Sequence, residues 1–115
     1  MATTVMECKN IVKGIDELAD AVKKEFEYDT EPVYETKKGF ANGAVAMLSF
    51  EKYYLRNGSY ASLTIMLTEN DNVQTADIVA SGGGEGILNW GWGANDSFAG
   101  KAVKILNKYG FTENK

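Results

Sequence analysis

Histidine is absent from this 115-residue chain, and cysteine, proline and arginine occur once each, as Cys8, Pro32 and Arg56. Without histidine, Ser-His-Asp and Cys-His catalysis are excluded, together with most zinc and non-haem iron sites. Acid–base chemistry would have to use carboxylates, lysines or tyrosines. A single cysteine forms no intrachain disulfide, and Cys8 has no base to activate it. It reads as a small apolar filler. No stretch approaches the roughly 20 apolar residues that cross a bilayer, and Met1 to Gly14 lack the apolar run of a secretory signal. A cytoplasmic location without a membrane partner is the expectation.

Basic clusters are also lacking. Twelve Lys and Arg face sixteen Asp and Glu, a net charge of −4 with a pI of 4.8. A nucleic-acid binder needs a basic stripe to displace counterions, so nucleic acid is not an expected partner. What remains is ordinary for a globular protein: 44% hydrophobic residues and 24% charged, enough for one domain spanning residues 1–115 with its own core.

Ile15, Leu18, Ala19, Val22 and Phe26 recur at helical spacing, with Asp16, Glu17, Asp20, Lys23 and Lys24 on the other side. They predict a helix from Ile15 to Phe26, preceded by a short strand over Thr3–Cys8. Glu27 to Gly43 holds Pro32, Lys37-Lys38-Gly39 and Asn42-Gly43. It reads as an irregular connection with a short edge strand around Val33 to Thr36. At the other end, Phe98, Ala102, Ile105, Leu106 and Tyr109 form a stripe. Asp96 or Ser97 is the expected cap and Gly110 the stop.

Asn57-Gly58 is a type I′ hairpin signal, because both residues tolerate positive φ. A two-residue turn there pairs Arg56 with Ser59, Tyr54 with Ala61, Phe50 with Ile65 and Leu48 with Leu67. It puts Leu48, Phe50, Tyr54, Ala61, Leu63, Ile65 and Leu67 on one apolar face, interrupted by Lys52, whose stem can snorkel to an edge. A second turn at Asp71-Asn72 pairs Leu67 with Ala76, Ile65 with Ile78 and Leu63 with Ala80. With a strand over Ile87–Trp92, the expected fold is α+β: a two-layer sandwich of about four antiparallel strands with two helices on the dry face.

The glycine-rich loop Ser81-Gly82-Gly83-Gly84-Glu85-Gly86 lacks the Lys and Ser/Thr of a P-loop and the dinucleotide spacing. An apolar strand follows it rather than a helix. The same register sets Ser62 between Tyr53 and Ser81, beside Arg56 and Tyr60. A corner of Tyr53, Arg56, Tyr60, Ser62, Ser81, Gly82, Gly83 and Gly84 thus becomes the candidate ligand site, suited to a small anion or carboxylate. Glu85 opposes an anion there. Leu88, Trp90 and Trp92 share a strand face, read first as core or subunit contact. Glu69-Asn70-Asp71-Asn72 lacks the spacing of a calcium loop and reads as a turn.

The run Phe50 to Arg56, then Ala61 to Thr64, Ser81 to Gly86, Trp92-Gly93 and Ser97-Phe98 resembles a family of small, uncharacterised bacterial proteins. The likeness spans about Ala44 to Tyr109. It implies a cytosolic domain of unknown function and supplies no reaction, cofactor or catalytic residue.

Three functions compete. The first is a non-catalytic binding or assembly module, as a homodimer, because Met47, Tyr53, Leu55, Tyr60, Met66 and Val79 make the outer sheet face too apolar for solvent. The second is a small-anion binder at the Arg56–Tyr60–Gly82 corner. The third, ranked last, is an enzyme using Glu51, Lys52, Tyr53 or Tyr54. No cofactor and no metal is expected.

Overall fold

The computed structural model describes residues 2–54, 58–82 and 94–113. Within them, helix α1 covers Ile15–Phe26, and Ile15, Leu18, Ala19, Val22 and Phe26 are all buried. Asp16 and Glu17 lie in its first turn and Lys23 and Lys24 in its last, the arrangement that complements the helix dipole. The final helix, α2, covers Ala94–Asn107 and so begins before Asp96 and Ser97. These two residues belong to its first turns and do not precede it. Gly110 ends this segment as expected, with φ at +91°. Its N–H donates to the Asn107 carbonyl, and the Phe111 N–H donates to that of Leu106. This pair of bonds is the Schellman motif, with glycine at the left-handed position.

Among the described residues, six antiparallel strands form one sheet: β1 (Ala2–Cys8), β2 (Glu31–Phe40), β3 (Gly43–Tyr54), β4 (Ser59–Asn70), β5 (Val73–Gly82) and β6 (Thr112–Glu113). Their order is β2-β3-β4-β5-β1-β6. The expected count of about four, which includes the strand over Ile87–Trp92, is too low because three further strands join the sheet. β1, expected only as a short leading strand, pairs with β5; β6 is only two residues long; and β2 is a full ten-residue edge strand where a short one around Val33 to Thr36 within an irregular connection is expected. β2 is exposed along nearly its whole length, so it lacks the wet–dry alternation by which a strand is read. Its register slips between Pro32 and Tyr34, as a bulge on an edge allows. The expected strand over Ile87–Trp92 lies outside the described residues.

The second hairpin closes as its turn chemistry dictates. Asn70 pairs with Val73, and Asp71 and Asn72 take φ of 53° and 64°. Leu63, Ile65 and Leu67 then meet Ala80, Ile78 and Ala76. The first hairpin differs. Tyr54 pairs with Ser59, Phe50 with Leu63 and Leu48 with Ile65, two residues away from the partners a two-residue Asn57-Gly58 turn imposes. Residues 55–58 separate the last described pair. Alternation repeats every two residues, so a slip of two leaves every side chain on its expected face and changes only its partner.

Those faces divide cleanly. Ala46, Leu48, Phe50, Ala61, Leu63, Ile65, Leu67, Ala76, Ile78, Ala80, Met6 and Cys8 are buried on one side. α1 covers it beneath β2–β4 and α2 beneath β4, β5 and β1. Phe26 stacks on Phe50 at 4.9 Å between ring centroids and meets Phe98 at 5.9 Å. Each such large side chain contributes about 1.5–3 kcal/mol by leaving water. Nothing helical covers the other side among the described residues.

Candidate functional site

The expected corner sits on that helix-free face, at the β3–β4 turn end. Tyr53 and Tyr60 are directly opposed, with ring centroids 4.9 Å apart and planes tilted by 55°. They stand 47% and 59% exposed. Ser62 and Ser81 are also opposed and share an Oγ–Oγ hydrogen bond of 3.0 Å. Gly82 has φ of +92°, and a Cβ there would collide with the Tyr60 carbonyl oxygen, so only glycine fits. Arg56, Gly83, Gly84 and Glu85 lie outside the described residues, as do Leu55, Leu88, Trp90 and Trp92.

The corrected register alters the corner's chemistry. Ser62 faces Glu51 in place of the expected Tyr53, and Glu51 in turn faces Glu31 on β2. The serines' own row therefore carries two carboxylates. That is the wrong sign for an anion.

Glu51 and Lys52, two of the catalytic candidates, project to opposite faces of β3. Lys52 turns to the helix side, where its ammonium lies 3.2 Å from Asp29. Lys101 of α2 approaches the same carboxylate at 3.2 Å and places its ammonium 5.0 Å from the centre of the Phe26 ring. Burial pushes the Asp29 carboxyl up, but hydrogen bonds from Lys101 and Lys52 outweigh it and hold the group below its ordinary range. The break that Lys52 makes in the apolar face is thus accounted for: its stem crosses the core rim to reach Asp29. Cys8 is buried, its thiol pushed up by burial and set 3.6 Å from the Tyr109 carbonyl, as suits a filler rather than a thiolate.

At the opposite end of the sheet lies an open cleft of about 690 Å³ that the sequence did not point to. Asp16, Glu17, Glu69 and Asp71 line it. Beside it, the buried Gln74 donates its amide to the Lys13 carbonyl at 2.6 Å and to Glu69 at 3.0 Å. These bonds tie the β1–α1 connection to the β4–β5 hairpin. No group of three or more acidic or cysteine side chains among the described residues is placed to hold a metal ion.

The rest of the helix-free face is a grid read from the pairings. Tyr34, Ser49, Thr64, Val79 and Thr3 make one row across the sheet. Thr36, Met47, Met66, Asp77 and Val5 make the next. Lys38, Val45, Thr68, Thr75, Glu7 and Thr112 make the third. Ser49 and Thr64 share a hydrogen bond of 3.0 Å. Met47 and Met66 meet at the centre, and Met66 is 38% exposed.

No helix among the described residues is long and apolar enough to cross a membrane. No curated protein and no solved structure matches the chain. A family model does, over residues 1–110, beyond the Ala44 to Tyr109 stretch that carries the sequence resemblance. By that match the chain belongs to a family of unknown function (DUF6054).

Proposed function

We propose that the chain is a non-catalytic assembly module that pairs with a second copy of itself through the helix-free face of the sheet. The observation that carries this reading is the opposed Met47–Met66 pair at the centre of that face, with Val45 and Val79 in the neighbouring rows and Val5 beyond Asp77 in its own. Adaptable thioethers at the middle of a flat surface suit a repacking contact. Size agrees with it. Five long strands of about ten residues cover roughly 24 Å by 33 Å, about 800 Å², which is what each partner contributes to a standard interface.

Polarity agrees too. The hydroxyls of Ser49 and Thr64, and those of Ser62 and Ser81, already bond one another at 3.0 Å. Paired hydroxyls can leave water without being orphaned, which removes the main cost of burying them. The second reading, a small anion or carboxylate at the Tyr53–Ser62–Ser81 corner with Arg56, is weakened by Glu51 and Glu31 in the same row as the two serines. Catalysis by Glu51 with Lys52 is disfavoured because the two side chains project to opposite faces.

Sedimentation velocity at micromolar concentration tests the leading reading. The wild-type chain is expected to run as a dimer and Met66→Glu as a monomer with an unchanged circular dichroism spectrum. A wild-type chain that stays monomeric at about 100 μM, a concentration two decades above a micromolar dissociation constant, would overturn it.

A further inference from the structure

Given self-association through this face, the arrangement of its charges selects how the two copies meet. Lys38 on β2 and Glu7 on β1 stand in one row at equal distances on either side of β4, and Thr112 of β6 continues the row beyond Glu7. At about 4.8 Å per strand, each lies about 10 Å from β4. Among the described residues neither takes part in an ion pair. We infer that the dimer's two-fold axis runs along β4, so that each Lys38 lies over Glu7 of the second copy and two intermolecular ion pairs form, one on each side of the axis.

A rotation about an axis along the strands keeps each row over itself and reverses its order. Row by row, it sets Met66 on its own copy, Asp77 over Met47 and Glu51 over Ser81. No carboxylate meets a carboxylate. The strand directions stay aligned, as in face-to-face sheet packing. An axis across the strands at the methionine row would instead stack Asp77 on Asp77, two like charges withdrawn from water. Shifting that axis by half a row avoids the clash and brings Lys38 over Glu31.

A charge swap distinguishes these arrangements. In the full chain, Lys38→Glu and Glu7→Lys are each expected to weaken dimerisation by about tenfold, because each creates two like-charge contacts across the interface. Combining them is expected to restore wild-type association. Circular dichroism and thermal unfolding of each variant check that the fold is retained. Rescue of Lys38→Glu by Glu31→Lys but not by Glu7→Lys would overturn the axis along β4, as would single variants that dimerise like wild type. In both cases the dimer itself stands. A monomeric wild type removes both inferences together.

Discussion

Lys37 on β2 places its ammonium 2.8 Å from Asp16 and 2.6 Å from Asp20, one turn apart on α1. Hydrogen bonds donated to Asp16 and Asp20 raise the lysine's pKa well above its ordinary value. Two residues away on the same face, Glu35 receives Lys23 at 2.8 Å. The helix-facing side of β2 is therefore charged where the other long strands are largely apolar, and α1 supplies the opposite charges. An edge strand with inward-facing charges, a bulge and a proline is a poor template for pairing with another chain.

Removing this cation is expected to act modestly on stability. Lys37→Ala should lower the free energy of unfolding by less than about 1 kcal/mol, the range for exposed pairs. The loss should shrink as salt screens the wild-type network. Urea denaturation at low and high ionic strength measures both. A deficit that is unchanged in high salt would assign the effect to lost packing of the lysine stem.

The β4–β5 register is the one that a two-residue turn at Asp71-Asn72 dictates, with both residues at positive φ. Asn57-Gly58 carries the same turn chemistry, yet Phe50 meets Leu63 rather than Ile65. Alternation tolerates a slip of two at either hairpin, so it tests the face of each residue and not its partner. The candidate corner inherited that slip: Tyr53 moved beside Tyr60, and Glu51 took its place beside Ser62. β2 was illegible for another reason. Its inward residues are Glu35 and Lys37, so hydrophobic periodicity, the primary signal, is absent from it. The acidic cleft joins α1's first turn to two hairpin ends, and no local motif announces such a juxtaposition. α1 was legible because a five-residue apolar stripe and matched end charges agree on one helix. Asn10 and Gly14 both offer a start for it, and the structure takes Gly14 as the cap.

Two glycines should respond to alanine in opposite directions. Gly82 combines φ of +92° with the Tyr60 carbonyl oxygen where a Cβ would stand. Gly82→Ala is expected to cost at least about 1–2 kcal/mol from the left-handed backbone alone, with the clash added. Gly100 lies within α2, has open space for 4 Å around the point a Cβ would occupy, and has no positive φ. Gly100→Ala is expected to stabilise by about 0.5–1 kcal/mol through helix propensity. Thermal unfolding of the two variants beside wild type checks the contrast.

Asp29 makes acid sensitivity a test of how the two helices and β3 are joined. Its carboxylate sits between Lys52 of β3 and Lys101 of α2 at 3.2 Å from each. The folded pKa is held below the ordinary 3.8, despite burial acting the other way. A depressed carboxylate binds its proton more readily in the unfolded chain. Its stabilisation is therefore fully present above the ordinary value and is lost as pH falls below about 4 and through the folded pKa. Asp29→Asn removes that contribution. The variant is expected to be less stable than wild type at pH 7, by less than about 1 kcal/mol because the site is partly exposed. The gap should close as the pH is lowered through the acid range. Parallel urea titrations between neutral pH and about pH 3 follow it directly. A gap that stays constant across that range would mean that Asp29 acts through its shape and hydrogen bonds, with its charge adding nothing.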